Sequence, residues 1–553
     1  MGGRELTWVE PRAEEDAGVP PAPALGFAGP CRRRHPRYGV DLRTTMRSAT
    51  GIGRTGRVEA RVCDVGRGGA RLEVARLLYP GEWITLELPG GGPVVPAPGI
   101  PTGPVRAQVR TDPEASRGGT GRFTVGVAFA SGFWSRLRCR FDRSIPTLAI
   151  LLLLAGVVPV SRLKESNLYL FWVNPIWNAY GLLVSAFILS RLVLAFLYRP
   201  PRDTGHRPDV SVIVACKNEE PAIRRTLECI FRSDYPAEKL DVIAVDDGST
   251  DGTLSEMRRA QGDHPSLRII AFDRNRGKRH AMAEGARVAR GEVLVYVDSD
   301  SFLRPDAVLK LASSFADRDV GAVCGHAEVQ NARANFLTRM QEVRYYVAFR
   351  VVKAAESVFS AVTCCSGCLA AYRRSYVMDV LDHWLAQRFL GTPATFGDDR
   401  ALTRYMLKRY RVVYHSEAVC TTIVPESWRV FFRQQLRWKK SWIRETLLLS
   451  AFMWKRHPAM ALSFYLSAVF PLVSPGIVLH ALGLPMLGIG SFSFVYLYGA
   501  VLMASLYSLV YLARHRNWMW LYGIWFSLFY MGALVWQTYY ALATVRRNHW
   551  GTR

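Results

Sequence analysis

Acidic side chains that follow two strand-like segments are the first residues of this sequence to suggest chemistry. Asp246 and Asp247 come after the apolar run "DVIAV", and Asp298 and Asp300 come after "EVLVYV". Ligands of a doubly wound sheet collect at the carboxyl ends of its strands, so we expect the two clusters to share one edge. Asp246 and Asp247 can accept hydrogen bonds from a base or a ribose. Asp298 and Asp300 fall on one side of an extended segment and suit Mg²⁺ or Mn²⁺ bridging a diphosphate.

The alternative for any one of these aspartates is a helix cap at a strand end, and two successive clusters weaken it. A cationic pair supplies matching positive charge, because Gly277 precedes Lys278 and Arg279 in "RNRGKRHA". These residues open a predicted helix, and a helix N-terminus with positive side chains is an anion site.

A third acidic segment, "GDDRALT" (397–403), lies far downstream. Asp399 in this segment is a candidate general base that takes a proton from an acceptor hydroxyl. The alternative is that Asp399 caps the helix predicted over "ALTRYMLKRY". The sequence leaves both roles open.

The stretch "FRQQLRWKKSW" (432–442) is basic and aromatic, which suits nucleic acid, a membrane surface or a charged substrate. On a helix, Gln434, Arg437 and Trp438 share one face. An apolar stripe follows the same helix: Phe432, Leu436, Ile443 and Leu447. A basic stripe overlaps it: Arg433, Arg437, Lys440 and Arg444. The stripes predict an amphipathic helix at a membrane interface, but they do not explain a Gln and an Arg beside a Trp on one face.

Long apolar runs indicate a polytopic membrane protein. Of the 553 residues, 49% are hydrophobic and 21% charged, and the apolar ones concentrate in runs such as 145–161, 178–198, 494–512 and 520–536. A bilayer core needs roughly 20 apolar residues in a helix, and the first run is near the lower limit. The net charge of +25 is explained by cytoplasmic Lys and Arg near anionic lipid, so no nucleic acid polymer is expected as a partner.

Cysteine usage gives no framework for the fold. Ten cysteines are scattered along the chain, mostly in the region predicted to be cytoplasmic, which argues against structural disulfides. The segment "CCSGC" (364–368) has no paired C-x-x-C or nearby His to complete four zinc ligands. We therefore do not expect zinc there.

Composition and periodicity divide the chain into a series of segments. Short alternating strands between Gly and Pro turns predict a small β-barrel, and alternating strands and helices predict an α/β domain with a mostly parallel sheet. The predicted segments are a disordered lead-in (1–30), the β-barrel (31–135), two transmembrane helices (145–198), the α/β domain (207–425), amphipathic interface helices (426–456), three or four C-terminal transmembrane helices (459–545) and a basic cytoplasmic tail (546–553).

Four motifs in a fixed order give a specific resemblance. "VDDGSTD", "DSD", "GDDRALT" and "QQLRW" (with Q-x-x-R-W) resemble those of the processive family-2 glycosyltransferases, which include cellulose, chitin and hyaluronan synthases. The resemblance covers residues 145–553. "SGCLAAYR", "QQLRWKKSWIRE" and "WGTR" are most similar to class I hyaluronan synthases and rhizobial chitin-oligosaccharide synthases. Cellulose synthases usually have T-E-D where this chain has G-D-D.

The resemblance implies a GT-A fold for the α/β domain and a role for each motif residue. Asp246 and Asp247 would contact the uridine of a UDP-sugar and Lys278 the nucleotide. Asp298 and Asp300 would bind Mg²⁺ or Mn²⁺, with Asp298 also at the diphosphate.

Later motifs would serve the acceptor and the leaving group. Asp399 would be the catalytic base, next to Asp398 among the substrate-binding residues. Gln434 and Arg437 would hold the donor diphosphate, and Trp438 would stack under the acceptor sugar at the channel mouth. The implied reaction is one inverting displacement at the anomeric carbon, with UDP leaving.

The N-terminal β module resembles PilZ domains, which bind cyclic di-GMP. "RRRHPR" contains R-x-x-x-R as Arg33 and Arg37, and "DVGRGG" (Asp64 to Gly69) stands where PilZ domains carry [D/N]-x-S-x-x-G. Paired arginines bind phosphates and stack on bases. Gly66 replaces the motif's Ser and removes a hydroxyl contact. A juxtamembrane basic patch is the alternative for the arginines.

The sequence as a whole predicts a multi-pass cell-membrane synthase whose PilZ-like and catalytic domains are cytoplasmic. Its partners would be UDP-sugar donors, the growing polysaccharide, the lipid bilayer and cyclic di-GMP. The leading product is hyaluronan-like, made from UDP-N-acetylglucosamine and UDP-glucuronate and extruded through the protein's own helices. Two alternatives stay open: a single-donor synthase of cellulose-like or N-acetylglucosamine chains, and a degenerate synthase that acts as a cyclic di-GMP receptor.

Overall fold

The computed structural model describes residues 37–48, 58–66, 69–74, 83–88, 103–109, 114–115, 123–129, 175–489 and 494–547. Contacts divide the chain into two units, one formed by Met1–Leu148 with Ala513–Asn517 and the other by Ala149–Leu512 with Trp518–Arg553. The predicted lead-in, the apolar run 145–161, Arg33 and the last residues of the basic tail lie outside the described residues.

The first unit contains a seven-stranded antiparallel sheet. Its strands are β1 (Arg37–Ser48), β2 (Val58–Gly66), β3 (Gly69–Val74), β4 (Trp83–Leu88), β5 (Gly103–Val109), β6 (Glu114–Ala115) and β7 (Phe123–Phe129). Their order is β3-β2-β1-β4-β5-β7-β6, and β3 also pairs with β7, which closes the sheet. Along β3, Leu72 and Val74 are fully buried and Arg71 is exposed, which is the alternation of a half-buried strand, while Glu73 on the outer face is covered by its ion pair with Arg61. The predicted all-β module is confirmed.

The second unit is built on an eight-stranded sheet. Its strands are β8 (Val210–Cys216), β9 (Leu240–Asp246), β10 (Arg268–Ala271), β11 (Val293–Asp298), β12 (Ser301–Leu303), β13 (Val320–Val329), β14 (Ala370–Arg373) and β17 (Arg411–Thr422), and the short strands β15 (Arg388–Phe389) and β16 (Thr392–Pro393) form a separate hairpin. The order is β10-β9-β8-β11-β14-β13-β17-β12. β10, β9, β8 and β11 are parallel, as are β13 and β17, whereas β14 and β12 run antiparallel to their neighbours.

Helices connect these strands and extend beyond them. They are α1 (Pro175–Leu197), α2 (Ile223–Phe231), α3 (Thr253–Asp263), α4 (Lys278–Val288), α5 (Ala307–Ser313), α6 (Phe336–Val347), α7 (Ala354–Val358), α8 (Arg374–Leu385), α9 (Asp398–Arg409), α10 (Trp428–Met453), α11 (Pro458–Val478), α12 (Leu484–Met486), α13 (Phe494–His515), α14 (Leu521–Phe529) and α15 (Gln537–Ala543). All seven residues of β8 are buried, so both faces of this strand are covered. The β8–α2–β9–α3–β10 start is the predicted doubly wound pattern, and α4 begins at Lys278 as predicted.

Several helices are long and apolar enough to cross a membrane. In the described part of the chain they are Ala179–Leu197, Pro458–Met486 and Tyr496–His515, with Trp518–Leu534 and Gln537–Ala543 forming a pair bent by 45°. The second of these contains Pro475, but the helix continues past this proline to Val478 and then through a π-helical turn at Leu479–Gly483. The described C-terminal region thus holds three such segments at most.

The first apolar helix packs against the C-terminal ones and against the α/β domain. Tyr180 of α1 bonds Ser474 of α11 at 2.7 Å between hydroxyl oxygens, and Phe187 packs edge-on to Phe470. Arg191, which is buried, lies 3.8 Å from the Glu356 carboxylate of α7. This ion pair joins an apolar helix to the domain that carries the acidic clusters.

The amphipathic prediction for the region 426–456 needs correction. The region forms one helix, α10, and not several. Lys440 and Arg444 of the expected basic stripe and Ile443 of the apolar stripe are buried, while Leu447 is 54% exposed. The reason is packing: Lys439 Nζ donates to Thr538 Oγ1 at 2.9 Å, and Gln537 Nε2 donates to the Phe432 carbonyl at 2.9 Å. α10 therefore packs between α9 and α15, and part of its basic stripe is buried in that packing.

Candidate functional site

A cavity of about 340 Å³ lies at the end of β11, where α4, α6, α9 and α10 approach one another. Six of the predicted site residues line it: Lys278, Asp298, Asp398, Asp399, Arg437 and Trp438. Asp246, Asp247, Asp300 and Gln434 are not among its lining residues. The structure thus brings six of the predicted residues together in the cavity and leaves four outside its lining.

The carboxylates of the first acidic cluster accept hydrogen bonds from nearby loop residues. We call this region the β9 edge (Asp246, Asp247, Ser249, Arg276 and Gly277). Asp246 Oδ1 accepts the Ser249 backbone N–H at 3.2 Å and also the Ser249 hydroxyl. Asp247 accepts the backbone N–H groups of Arg276 at 2.6 Å and Gly277 at 3.0 Å. Both carboxylates are buried, and burial raises the pKa of Asp247. The Asp247 contacts fix the loop that leads into α4 and Lys278.

The second acidic cluster is held by that lysine. Lys278 Nζ forms an ion pair with Asp298 Oδ1, and although burial opposes it, the charges of Asp298, Asp398 and Asp399 raise the pKa of Lys278. β11 ends at Asp298, and Ser299 and Asp300 form a turn, so the expected extended segment through Asp300 is incorrect. Thr422 Oγ1 donates to Asp300 Oδ1 at 3.4 Å. The strand must end here because β12 leaves to pair with β17.

These carboxylates fit a divalent cation that also binds substrate oxygens. Within the described ranges, no group of three or more His, Cys, Asp or Glu side chains is placed to hold an ion by itself. Mg²⁺ and Mn²⁺ sites of nucleotide enzymes use one or two carboxylates and complete their shell with phosphate and water. The Lys278 ammonium beside Asp298 occupies a position where a cation is stabilised, which supports this fit.

Adjacent aspartates at the start of α9 have different environments. Gly397, with φ of 76°, is the N-cap, so Asp399 lies inside the first turn and the N-cap alternative for it is wrong. Asp398 is buried and accepts from Arg279 Nε at 2.7 Å, which ties it to α4. Asp399 Oδ2 accepts from Cys364 Sγ at 3.5 Å and its carboxylate borders the cavity. Both carboxylates border the cavity, but Asp398 is held in an ion pair with Arg279 while Asp399 is not.

A buried set of charges that the sequence did not reveal joins α4, α9 and α10. We call it the α9–α10 junction: Arg279, Gln387, Asp398, Arg404, Arg444 and Glu445. Gln387 accepts from Arg279 Nη1 at 3.1 Å and donates to Glu445 Oε1 at 2.8 Å. Glu445 also accepts from Arg404 Nε and Arg444 Nε, each at 2.8 Å. Burial opposes ionisation of Glu445, but the two arginines lower its pKa overall.

Close packing sets the junction's geometry. A Cβ on Gly397 would lie 2.5 Å from Cβ of Ser441, so only glycine allows α9 to start this near α10. Arg444 Nη2 donates to the Phe396 carbonyl just before that glycine. One sequence signal was available, since Glu445 is the only acidic residue of α10. The junction holds the Asp398–Asp399 pair and the Q-x-x-R-W helix in one frame.

The three Q-x-x-R-W residues share one face of α10 but have different environments: Arg437 and Trp438 line the cavity, and Gln434 does not. Burial lowers the pKa of Arg437, opposed by the charges of Asp298, Asp399 and Asp398. The Trp438 ring centroid lies 6.4 Å from that of Tyr345. Gln434 Oε1 is buried and, among the described residues, has no hydrogen-bond partner. The helix thus presents a cation and an aromatic ring to the cavity and an amide beside it.

The cysteine-rich segment forms part of the cavity wall. Lys353 Nζ donates to Cys324 Sγ at 3.3 Å, to Ser366 Oγ at 2.9 Å and to the Cys364 carbonyl. Cys364 and Cys368 border the cavity, and burial together with the charges of Asp298 and Asp300 raises the pKa of Cys368. These contacts tie the segment to Lys353 and β13, and so fix one wall of the cavity.

In the first unit, backbone register aligns the motif positions. Arg37 lies opposite Gly66, Gly39 opposite Asp64, and Gly66 opposite Gly69. The positions Arg37, Asp64 and Gly69 therefore meet at the β2–β3 turn end of the sheet. Arg33, the other predicted ligand of cyclic di-GMP, is outside the described residues.

Comparison with known proteins finds a family match for the α/β domain and another for the N-terminal β module. Residues 211–381 match the family model "Glycosyl transferase family 2", and residues 32–132 match "PilZ domain". A hyaluronan synthase of Streptococcus pyogenes serotype M3 is 32% identical over 415 residues, 73% of this chain and 97% of that protein. An N-acetylglucosaminyltransferase of Mesorhizobium japonicum is 42% identical over 245 residues, 44% of this chain and 57% of that protein.

A solved structure is also similar in part. The mannosyltransferase PcManGT from Pyrobaculum calidifontis, in complex with GDP-Man and Mn²⁺, aligns with a TM-score of 0.44 and 25% identity. The alignment covers 65% of this chain and 99% of that one.

Proposed function

The chain belongs to glycosyltransferase family 2 and carries a PilZ domain, and from that premise we propose that it is a processive, inverting polysaccharide synthase. It polymerises UDP-N-acetylglucosamine and UDP-glucuronate into a hyaluronan-like chain. The observation that carries this proposal is the cavity that brings Lys278, Asp298, Asp399, Arg437 and Trp438 together. The similarity to a hyaluronan synthase over nearly all of that protein supports the choice of donors.

The cavity residues divide the work of one displacement. Lys278 and Arg437 bind the donor diphosphate, since both are cations that border the Asp298 carboxylate. Trp438 supports the acceptor sugar through its ring face. Asp399 takes the proton of the acceptor hydroxyl as the new bond forms from that oxygen to the anomeric carbon and the bond to the UDP oxygen breaks. Attack opposite the leaving group inverts the anomeric centre.

Asp298 and Asp300 would hold Mg²⁺ or Mn²⁺ together with the diphosphate. The ion, when bound, supplies neutralisation of the negative charge that develops on UDP. Lys278, which pairs with Asp298 in this structure, is placed to reach a phosphate oxygen of the donor. Asp247 acts at a distance from this chemistry by fixing the loop before Lys278.

The apolar helices place synthesis at a membrane. α1 and the C-terminal helices span it, the catalytic and PilZ domains face the cytoplasm, and the chain leaves between the helices. Arg199 and Arg202, just after α1, support the cytoplasmic side for the catalytic domain. The hydrogen bonds that join α10 to α15 support a direct passage from the cavity to the apolar helices.

Cyclic di-GMP regulates the synthase through the PilZ domain. The meeting of Arg37, Asp64 and Gly69 at one end of the sheet supports this part of the proposal. We expect cyclic di-GMP to raise the polymerisation rate of the full chain, and the Arg37→Ala variant to lose that response while keeping its basal rate. A rate unchanged by the dinucleotide in the wild-type chain would refute the regulation and leave the synthase intact.

A single-donor N-acetylglucosamine synthase is the second candidate. It is favoured by the 42% identity to an N-acetylglucosaminyltransferase over the catalytic region. The receptor alternative has less support, because Asp298, Asp399 and Trp438 all border one cavity and a receptor has no need of them.

Product analysis separates these candidates. Purified full-length protein in lipid vesicles is given UDP-N-acetylglucosamine, UDP-glucuronate and UDP-glucose singly and in pairs, and the product is treated with hyaluronidase, chitinase and cellulase. We expect polymer only from the first two donors together, digested by hyaluronidase. A chitinase-sensitive product from UDP-N-acetylglucosamine alone would establish the second candidate, and no product from any donors would refute both.

A further inference from the structure

An arginine that the motifs did not include, Arg344 of α6, borders the cavity. Its guanidinium carbon lies 5.7 Å from the centroid of the Trp438 ring and 5.3 Å from that of Phe526. The side chain therefore stands between the Q-x-x-R-W helix and α14, one of the C-terminal apolar helices. This is the side of the cavity from which the product would enter the membrane.

Arg344, which is half-buried, differs from the buried Arg279 and Arg444 in having no anionic partner among the described residues. Arg279 pairs with Asp398, and Arg444 pairs with Glu445. Throughout the described part of the chain, the Arg344 guanidinium forms neither an ion pair nor a hydrogen bond, and the groups that act on its charge are Tyr345, Tyr530 and Arg400. Burial lowers the pKa of Arg344. A desolvated cation without a counter-charge is costly, so its presence calls for an anion that arrives with a ligand.

The position of Arg344 indicates which anion this is. The diphosphate already has Lys278 and Arg437, which border Asp298. Arg344 lies instead over the ring of Trp438, where a pyranose would stack. The planar guanidinium fork matches a carboxylate, which it binds through two parallel N–H bonds. N-acetylglucosamine and glucose carry no negative charge that could use it.

We propose that Arg344 binds the carboxylate of a uronosyl unit in the cavity and thereby selects the acidic sugar. This inference rests on the proposed function, because it presupposes sugar transfer in this cavity. The carboxylate has two possible carriers, the donor UDP-glucuronate and a glucuronosyl unit at the growing chain end. Both offer the same chemistry to the guanidinium, so the experiment separates them.

Two half-reactions of the full chain, reconstituted in vesicles, provide the separation. In one, UDP-glucuronate is transferred to a chain ending in N-acetylglucosamine. In the other, UDP-N-acetylglucosamine is transferred to a chain ending in glucuronate. Each is measured for wild type, Arg344→Ala and Arg344→Lys, with KM and kcat determined for the donor and for the chain.

Arg339 provides the matched control. It lies on the same helix, its guanidinium stacks on Tyr522 at 5.7 Å, and it donates to the Tyr522 hydroxyl at 2.9 Å, but it is not among the residues that border the cavity. The Arg339→Ala variant removes a similar side chain without removing a carboxylate site. We expect it to leave the KM values of both half-reactions unchanged.

For Arg344→Ala, we expect the KM of the uronate-bearing substrate to rise roughly 10- to 100-fold in one half-reaction, which identifies the carrier. Arg344→Lys should recover part of this loss because it restores the charge but not the fork. As a second readout, UDP-glucuronate and UDP-glucose, which differ only in the carboxylate, should compete equally well in the Ala variant if the donor is the carrier. Inhibition by UDP should stay unchanged and shows that the cavity is intact.

Equal losses in both half-reactions, or no loss in either, would overturn the role of Arg344 while leaving the synthase assignment in place. Failure of the proposed function looks different, since wild type itself would then not transfer glucuronate.

Discussion

The β9 edge leads into Lys278 and the α9–α10 junction contains Asp398, so each connects to a residue of the cavity, but the two regions are built in different ways. At the β9 edge, Asp246 and Asp247 accept N–H and O–H groups of residues 3 to 30 positions away. At the junction, the hydrogen bonds among Arg279, Asp398, Gln387 and Glu445 span 58 to 119 positions, and Arg404 reaches Glu445 across 41. The first region orders a loop through neighbouring chain, and the second joins separate helices through buried ion pairs. Loss of a junction residue should therefore disturb the fold, and loss of an edge residue should disturb a loop.

The largest expected effect comes from a residue that belongs to neither region. Asp399→Asn should lower kcat by roughly 10²- to 10⁴-fold, because it removes the base that takes the acceptor proton. The thermal unfolding midpoint should change little from wild type, since among the described residues Asp399 forms no direct ion pair of the kind that ties Asp398 to Arg279.

The neighbouring change Asp398→Asn is the control for that prediction. It weakens the ion pair with the buried Arg279 and should lower the unfolding midpoint. If Asp399→Asn polymerised at the wild-type rate, the assignment of the base would be wrong.

Glu445→Ala tests the junction. It leaves Arg404 and Arg444 without their shared carboxylate, and loss of one partner of a buried ion pair costs about 3–5 kcal/mol. We expect a large fall in the thermal unfolding midpoint of the purified chain. Glu445→Gln keeps a hydrogen-bond acceptor but loses the charge, so its unfolding midpoint should lie between those of wild type and Glu445→Ala. A midpoint unchanged in the alanine variant would mean that the junction does not hold α9 to α10.

Asp247→Ala tests the β9 edge at a smaller scale. The backbone N–H groups of Arg276 and Gly277 lose their acceptor, which costs about 1–3 kcal/mol locally. Because this loop leads into Lys278, we expect a higher KM for the UDP-sugar with a modest change in unfolding midpoint. A destabilisation as large as that of Glu445→Ala would break the distinction between the two regions.

Lowering the pH should change the stability of the two regions in opposite directions. This is the smallest of the four predicted effects. The pKa of Glu445 is lowered in the fold, so its contribution to stability is complete above its unfolded pKa of about 4.3 and is lost as pH falls from there through the lower folded pKa. The pKa of Asp247 is raised, so its contribution is present below its unfolded pKa and is lost as pH rises through the folded value. Hydrogen–deuterium exchange from pH 7 towards pH 3, corrected for the pH dependence of intrinsic exchange, should show reduced protection in α9 and α10 but not in the 274–277 loop. Uniform loosening of both regions would contradict these signs.

Much of the parallel half of the sheet follows from sequence because its determinants are local. Apolar runs ending in acidic clusters predicted β9 and β11, and a glycine followed by cations predicted the start of α4 at Lys278. The same local signals brought six motif residues to one cavity. The turn at Asp300 was not predicted, because it depends on the pairing of β12 with β17.

Interactions between segments that are distant along the chain could not be predicted from sequence patterns. A basic stripe on α10 reads as a solvated or lipid-facing surface, and only the approach of α9 and α15 shows that Lys440 and Arg444 are buried. Arg344 likewise has no motif around it. Its proposed role depends on its contacts with Trp438 and Phe526, which are distant in sequence and belong to other helices.

A structure of the full chain with UDP and Mn²⁺ in a lipid environment tests the central claim most directly. The account predicts the diphosphate and the ion at Asp298, with Lys278 and Arg437 on the phosphates, and the sugar side of the nucleotide directed towards Asp399 and Trp438. UDP bound away from this cavity, or bound here with Asp399 turned out of it, would contradict the account.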